Sequence, residues 1–261
     1  MASKIGRYEK TILGMFDFSA KRTEASVRLG LERLQMPYID IIQVHDFEYA
    51  ENIDQIVTET IPMLDKLRQQ GLVKHIGLGS YNLEKIKYII EKSPVRIDTV
   101  LNHSCITLID QELRDYADFF KEKKIGLVNA SVLAHGFLID GQLPAWLNNA
   151  DPKLIKASRE AVNLCRSEGL KIERLAYGYS AREGANLGVK VLLTGADTIE
   201  HLEGNIDAIE NGLSDQEYAM CDRLRNEFFK ELPVQNWGRK DVQVYHEKLQ
   251  KARQGIEVTW P

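Results

Sequence analysis

Apolar positions along the chain form short continuous runs that alternate with longer segments of helical period. Most of the runs are too continuously apolar for strands with one exposed face, and they predict strands covered on both faces. The predicted strands lie at residues 2–6, 39–45, 73–79, 98–102, 125–131 and 189–194.

Amphipathic segments fill the intervals between these strands. Residues 19–35 place their apolar side chains on one face, and Ser19 or Thr23 is suited to cap the start of a helix there. Residues 53–70 show the same pattern, with Gly71 as a stop. Further helices are predicted over residues 82–92, 110–123, 152–168, 171–184, 199–209 and 214–229.

The alternation of strands and helices predicts a parallel sheet in a single domain over residues 1–261, with residues 230–261 as a C-terminal extension. An open doubly wound sheet and a β/α barrel both fit the periodicity. No GxGxxG follows an early strand, which counts against a dinucleotide-binding doubly wound fold.

Composition narrows the function classes without choosing one. A formal net charge of −4 gives no indication of nucleic-acid or membrane binding, and no run approaches the length of a membrane span. Cys105, Cys165 and Cys221 are widely spaced and show no metal-ligand pattern. We therefore expect a reduced cytoplasmic protein with packing thiols, no metal site, and no nucleic-acid or membrane partner.

Polar residues gather where the predicted strands end. In parallel β/α proteins the chemistry collects at the carboxyl ends of the strands. A single strand-end histidine is more often structural, but six such ends together predict a functional site. The strand-end residues are Lys4, His45, Ser80, His103, Ser131 and Thr194.

Several stretches resemble one enzyme family in content and order. They are SKIGRY, FDFSAKRTEASVRLGLERLQMPYIDIIQVHDFE, IGLGSYN, NASVLAHGFL and LLTGADTIEHLEGN, and they are similar to motifs of the aldo-keto reductases over essentially the whole chain. Four stretches are similar in particular to the L-galactose and D-arabinose dehydrogenase branch, namely GRY, FDFSA, QVHD and PAWLNNADPKLIKASREAVNLC. The resemblance implies a (β/α)8 barrel that transfers a hydride between NAD(P) and a sugar or small carbonyl or alcohol.

The resemblance also implies a catalytic tetrad of Asp, Tyr, Lys and His, in which Lys4 matches the lysine and His45 the histidine. Hydride transfer to a carbonyl leaves an alkoxide, which the tyrosine must protonate. Because a free tyrosine has a pKa of about 10, a neighbouring ammonium is needed to lower it, while the histidine orients the substrate oxygen.

The family places its Asp and Tyr before the lysine strand, so we expect neither in this chain. By the same reasoning the first two β/α units are absent. The barrel is then incomplete, with six of eight strands and two unpaired sheet edges. Tyr8 and Tyr38 are poorly placed as replacements for the tyrosine. A shortened, impaired enzyme is the expectation.

A cofactor surface follows from the same resemblance. Ser131 and Leu133 match the loop around the pyrophosphate of NAD(P). His103 and Ser80 fall where family members often hold the nicotinamide amide with glutamine and asparagine.

The adenosine end of the cofactor maps to the last strand and the helix after it. Thr194, Gly195 and Asp197 match the turn at the ribose, and Asn205 matches the adenine contact. Asp197 stands where NADP-using members tend to carry a basic residue, so its carboxylate favours NAD by repelling a 2′-phosphate. His201 lies at another phosphate-facing position. Asp197 is equally explained as an acidic residue at a helix N-terminus.

Two other functions fit the sequence. One is a non-catalytic NAD(P)-binding or regulatory module, pairing through its open edges with a full-length subunit. The other is a Schiff-base barrel enzyme that uses Lys4. Family members are monomers, although open edges would permit self-association. Trp146 lies on the long loop where the family builds its substrate walls, and it is equally explained as a surface-packing residue. Trp237 and Trp260 lie in the extension, where family members place a loop over the substrate.

Overall fold

Six strands lie in one sheet, in the order in which they occur along the chain. A computed structural model of the protein describes residues 1–147, 150–233 and 239–260. The strands are β1 (Ala2–Ile5), β2 (Ile39–His45), β3 (Val73–Ser80), β4 (Thr99–His103), β5 (Gly126–Ala130) and β6 (Val189–Leu193). β1 pairs in parallel with β2, β2 with β3, and β5 with β6. The predicted α/β class, parallel sheet and strand positions are confirmed.

The sheet has two outer strands. β1 and β6 end the strand order, and neither pairs with a further strand among the described residues, so the sheet is not closed into a barrel. β6 is an exception to the prediction that most of the strands are covered on both faces. Val191 is 50% exposed and Leu193 46% exposed, because an outer strand lacks a neighbour on one side.

Helices occupy the intervals between the strands. Within the described ranges the α-helices are α1 (Ala20–Leu34), α2 (Ile61–Gln69), α3 (Leu83–Lys92), α4 (Ala117–Glu122), α5 (Pro152–Ser167), α6 (Ile172–Asn186), α7 (Ile199–Glu210), α8 (Asp215–Leu224) and α9 (Arg239–Arg253). A π-helical turn, Ile56–Thr60, leads into α2, and another, Arg225–Phe229, follows α8. Ser19 caps α1 by accepting a hydrogen bond from the backbone N–H of Arg22, as predicted.

The helix predicted over 110–123 is much shorter in the structure. A 3-10 turn, Glu112–Asp115, precedes α4. The hydroxyl of Thr107 accepts hydrogen bonds from the backbone N–H groups of Ile109 and Asp110, and the Asp110 carboxylate accepts one from Glu112. These side-chain acceptors stabilise a turn in place of the first helical turns.

The chain forms two compact units. The first contains Met1–Leu101, Lys124–Gly126 and residues 239–260, and its core is built from the side chains that β2 and β3 direct toward their helices. Ile42, Val44, Ile76 and Leu78 are at most 1% exposed there. Burial of each such side chain contributes about 1.5–3 kcal/mol.

The second unit contains Asn102–Lys123 and the described residues from 127 to 233. Its core lies chiefly between α5, α6 and α8, around Ala161, Leu175, Tyr179 and Leu224. The single-domain expectation stays a prediction.

Candidate active site

The carboxyl ends of β1 and β2 lie side by side, and a glycine allows their backbones to approach closely. Ile5 pairs with Val44, so Gly6 follows beside His45. A Cβ at Gly6 would overlap the backbone carbonyl of His45, and the φ of +124° there suits glycine alone. Because side chains alternate along a strand, Lys4 and His45 belong to the same face of the sheet. The structure therefore brings the two residues predicted to be catalytic to one face, with Lys4 exposed.

His45 lies between a carboxylate and a glycine. Its Nδ1 is 2.8 Å from Oδ1 of Asp46, and its side chain is 32% exposed. Asp46 has a left-handed backbone, with φ of 55°, and precedes a 3-10 turn, Phe47–Tyr49. A Cβ at Gly79, the residue paired with His45 on β3, would lie only 3.0 Å from Cδ2 of the imidazole. Because glycine has no side chain, position 79 leaves room for the imidazole ring of His45.

A buried carboxyl follows three residues after His45. Glu48 is 2% exposed. Burial raises the pKa of Glu48 to about 8; the charge of Asp46 adds to the rise, and a hydrogen bond from the Ser80 side chain and the charge of Lys85 oppose it. Glu48 Oε2 has no hydrogen-bond partner among the described residues. At neutral pH this carboxyl is therefore mostly protonated. The burial of Glu48 was not predicted, because an acidic residue after a strand predicts a solvated loop.

Ser80 ends β3 as a buried turn residue. Its Oγ accepts a hydrogen bond of 2.9 Å from the backbone N–H of Asn82, and Asn82 in turn caps α3 by accepting one from Lys85. Ser80 belongs to the first compact unit, whereas the other residues predicted for the cofactor belong to the second.

The tyrosines that follow the first three strands are poor proton donors. Burial is the largest cause that raises the pKa of Tyr8, Tyr49 and Tyr81, and the charge of Asp241 raises it further for the last two. Proton transfer near neutral pH needs a tyrosine whose pKa is lowered. Tyr38 lies at the opposite end of β2, with the Lys74 ammonium 3.7 Å from its ring centroid.

Asp241 of α9 joins the loops that follow β2 and β3. Its carboxylate accepts hydrogen bonds from the hydroxyls of Tyr49 and Tyr81, the second at 3.5 Å, and from the backbone N–H of Val242 at 2.9 Å. We call this group the Asp241 clasp. Neither α9 nor the clasp was predicted for the extension over residues 230–261. The available signal was the helical spacing of Val242, Tyr245 and Leu249, which pack into one apolar cluster.

An aromatic cluster completes the docking of α9. The rings of Phe16 and Tyr49 stack at 4.4 Å, and Tyr245 meets both edge-on. Trp260 packs edge-on against Tyr49 and Tyr245, so it is a packing residue. A pocket of about 180 Å³ is lined by Phe16, Tyr49 and Tyr245 of this cluster and by the polar side chains of Asp17, Glu51, Gln55 and Arg253. Trp237 lies outside the described residues, and Trp146 is 61% exposed.

In the second unit, the turn after β5 has an unusual backbone. Ser131 and His135 both adopt left-handed φ angles, of 58° and 61°. The Ser131 hydroxyl accepts a hydrogen bond from the backbone N–H of His135, and its carbonyl accepts one from the Ser104 hydroxyl. Such outliers are enriched at ligand-binding turns. The placement of Ser131 in the pyrophosphate loop stays a prediction. Leu133 is half-buried and packs against two apolar clusters.

His103 meets His135 at the end of β4. The two imidazoles lie edge to face with ring centroids 4.5 Å apart. Burial, with the charge of His103 as a second cause, lowers the pKa of His135 to about 3. His135 is therefore neutral at physiological pH.

The residues predicted at the adenosine end come together in two pairs. Thr194 Oγ1 lies 2.5 Å from the hydroxyl of Tyr177 and accepts a hydrogen bond of 3.2 Å from Asn205, which is buried. His201 Nδ1 lies 2.5 Å from Oδ1 of Asp197 at the exposed start of α7. The hydrogen bond with His201 is the main cause that lowers the pKa of Asp197, and it raises the pKa of His201.

Gly195 lies between Thr194 and Asp197 in the sequence and is exposed to solvent. A Cβ there would meet nothing within 4 Å. The segment from Thr194 to Asn205 thus combines a hydroxyl, an amide and an open turn before a helix N-terminus, a donor set suited to a ribose and its phosphates.

Other chemistries find little support in the described parts of the chain. All three cysteines are buried and outside disulfides, and burial raises the pKa of Cys165 to about 11 and that of Cys221 to about 12. No group of three or more His, Cys, Asp or Glu within the described ranges is arranged to hold a metal ion. None of the described helices is both long and apolar enough to cross a membrane.

Comparison with known proteins gives a consistent family. The aldo/keto reductase family model matches residues 4–226. L-galactose dehydrogenase of Arabidopsis thaliana is 38% identical over 210 residues, which are 80% of this chain and 63% of that protein. D-arabinose 1-dehydrogenase of Saccharomyces cerevisiae is 24% identical over 236 residues, which are 85% of this chain and 69% of that protein. The match therefore spans less than two thirds of L-galactose dehydrogenase.

Solved structures give the same fold. The holo form of an aldo-keto reductase from Bacillus halodurans superposes with a TM-score of 0.64 at 24% identity, covering 86% of this chain and 72% of the other. Glycerol dehydrogenase from Gluconobacter oxydans gives 0.63 at 21% identity, covering 89% and 74%. These relatives imply a (β/α)8 barrel, of which six strands lie among the described residues of this chain. By its motifs, its parallel α/β sheet and the match over residues 4–226, the chain belongs to the aldo/keto reductase family.

Proposed function

We propose that this chain functions as an NAD(P)-dependent oxidoreductase, transferring a hydride between nicotinamide and a hydroxyl or carbonyl carbon of a sugar. The observation that carries the proposal is the 38% identity to a protein named L-galactose dehydrogenase over 80% of the chain. Support from the site comes from Lys4 and His45, which belong to one face of the sheet at adjacent strand ends.

The cofactor supplies the hydride chemistry, and the chain's own residues fit its binding. The Asn205 amide donates a hydrogen bond to the Thr194 hydroxyl, and Ser131 follows β5 with a left-handed backbone. The absence of a side chain at Gly195 leaves open space beside Thr194. We assign these four residues to the ribose and phosphate groups of NAD(P). His103, Leu133 and Ser80 remain proposed contacts.

At the reacting end, Lys4 and His45 provide nitrogen groups for the substrate oxygen. A charged ammonium near that oxygen stabilises an alkoxide, and an imidazole beside it orients the hydroxyl or carbonyl. The glycines at positions 6 and 79 allow the backbone and ring to approach closely enough for this arrangement.

NAD is the proposed form of the cofactor. Asp197 stays ionised at neutral pH because its pKa is lowered, chiefly by His201. A carboxylate at this turn repels the additional phosphate of NADP.

Fluorescence titration of the full chain with NADH and NADPH tests the cofactor assignment. We expect NADH to bind about tenfold more tightly than NADPH, and Thr194→Ala to weaken NADH binding by about tenfold through loss of a hydrogen-bonding hydroxyl. Thr58→Ala, which removes a surface hydroxyl bonded to the Asp54 carbonyl, should leave binding unchanged. Equal loss in both variants, or no NADH binding at all, contradicts the proposal.

A second candidate is NAD(P) binding without turnover. It is favoured by the tyrosines after β1, β2 and β3, whose pKa values are all raised. Assaying the same protein with NAD and a panel of aldoses separates the two candidates. Oxidation of a sugar supports the first, and cofactor binding without product supports the second.

A further inference from the structure

Tyr177 of α6 packs among three segments that carry proposed contacts to the cofactor. Its ring is 3% exposed and forms one apolar cluster with Val132, in the turn after β5, and Ala208 of α7. Leu192 of β6 packs against the same cluster. All of these residues belong to the second compact unit, so one small cluster connects its β5 turn, its last strand and the helix after that strand.

The Tyr177 hydroxyl is the polar end of this cluster. A buried hydroxyl requires a hydrogen-bond partner, and Thr194 supplies it, with 2.5 Å between the two hydroxyl oxygens. Thr194 Oγ1 also accepts a hydrogen bond of 3.2 Å from Nδ2 of Asn205. It donates a longer one, of 3.4 Å, to the carbonyl of Gly195. Three partners therefore hold the Thr194 hydroxyl, and Tyr177 lies nearest to it.

Asn205 is a buried residue on a largely exposed stretch of α7. It is 8% exposed, whereas residues 200–204 are all exposed. A side-chain amide has two N–H donors and one acceptor oxygen. Thr194 takes one donor, and within the described parts of the chain the Asn205 amide has no second hydrogen-bond partner. One N–H and Oδ1 thus remain for a ligand, as a donor beside an acceptor.

A donor beside an acceptor is the pattern that recognises a 6-aminopurine. Such a base presents an amino donor next to a ring-nitrogen acceptor, and an asparagine amide can bind both at once. We propose that Tyr177 is a positioning residue, which acts through Thr194 to hold the Asn205 amide in the orientation that selects a 6-aminopurine nucleotide. The inference rests on the proposed function for the cofactor and adds to it a residue that acts from beneath the binding surface.

Fluorescence titration of the full chain with two reduced dinucleotides tests this role. NADH carries adenine, and reduced nicotinamide hypoxanthine dinucleotide has a carbonyl in place of the amino group. We expect the unaltered chain to bind NADH about tenfold more tightly than the hypoxanthine analogue, because the carbonyl oxygen cannot donate to Oδ1. Tyr177→Phe keeps the ring and removes only the hydroxyl. It should weaken NADH binding by about five- to tenfold, change binding of the analogue less, and so remove most of the preference.

Two further variants make this result interpretable. Tyr179→Phe removes an equally buried hydroxyl from the same helix, one bonded at 3.0 Å to Gln111, and should leave the preference unchanged. Thr194→Val keeps the branched shape and removes the hydroxyl between Tyr177 and Asn205. It should also abolish the preference, and it serves if Tyr177→Phe does not fold.

The ratio of the two affinities separates positioning from a general loss of structure, which would weaken both dinucleotides alike. Equal weakening of both in Tyr177→Phe, or the same loss of preference in Tyr179→Phe, overturns the proposal. Equal binding of the two dinucleotides by the unaltered chain overturns it as well, while leaving the proposed function in place. Failure of the unaltered chain to bind either dinucleotide contradicts the proposed function, and this inference with it.

Discussion

Glu48 is a carboxyl group that folding transfers from water into the interior of the first unit. Its pKa rises from 4.5 to about 8. Between these two pH values the unfolded chain loses the Glu48 proton while the folded chain keeps it, so the folded state binds more protons. The free energy of unfolding must therefore fall as pH rises through this window, by up to about 1.4 kcal/mol per pH unit from this group.

Glu48→Gln should remove this dependence. The amide is neutral at every pH, so the variant should gain stability relative to the unaltered protein when pH rises from about 6 to about 8. Urea unfolding at the two pH values measures the effect. Glu51→Gln is the matched control, because Glu51 is exposed and paired with Arg253, and its pKa is lowered. The same relative gain in both variants would show that Glu48 is not the group responsible.

His45 and its neighbours show what sequence can and cannot predict at a single position. His45 was identified from its place at a strand end together with a family motif, and Lys4 in the same way. The left-handed φ of Asp46 and the burial of Glu48 are revealed by no spacing in the sequence.

At the level of elements, the predicted strands agree with the structure because buried parallel strands leave a strong apolar signal. The exceptions have local causes. Side-chain acceptors at Thr107 and Asp110 shorten the helix before β5. Helix α9 was missed because its sequence is mostly polar and its few apolar residues pack on distant loops.

The hydrogen bonds of the Asp241 clasp lead us to a prediction about the local stability of α9. Tyr49→Phe removes the hydroxyl that donates to the Asp241 carboxylate, leaving part of a half-buried charge unsatisfied, at a cost of about 1–3 kcal/mol. We expect amide hydrogen exchange in residues 239–260 to become at least roughly tenfold faster.

Two other variants test whether the change in hydrogen exchange depends on which hydrogen bond is removed. Tyr81→Phe should accelerate exchange less, because its hydrogen bond to Asp241 is 3.5 Å long. Tyr88→Phe removes a comparable but exposed bond to Asp54 and should leave α9 unchanged. Unaltered exchange in Tyr49→Phe would mean that the aromatic cluster alone holds the helix.

For the whole molecule, the open sheet raises the question of assembly. Unpaired strand edges and exposed apolar side chains promote association between chains. Besides Val191 and Leu193 of β6, one face of α7 leaves Ile199, Leu202 and Ile206 at least 43% exposed. We expect the purified chain to self-associate through this surface.

Sedimentation velocity over a range of protein concentrations measures this association. Val191→Lys should lower it, because a charge on an outer strand resists edge-to-edge pairing. Val244→Lys places the same charge on α9, at a site 41% exposed, and should have no effect. A chain that is monomeric at every concentration would contradict the prediction.

The Asp241 clasp also constrains the order in which parts of the chain can fold during synthesis. Tyr49 and its acceptor are separated by 192 residues, and the Tyr245 hydroxyl reaches back 233 residues to the carbonyl of Ile12. A ribosome delivers the chain from its amino end, so these partners are missing until residues 239–260 have been made. The loops beside His45 can settle only after α9 has emerged. Nascent chains that have made β1 to β6 must therefore wait for α9 before the candidate site takes its final form.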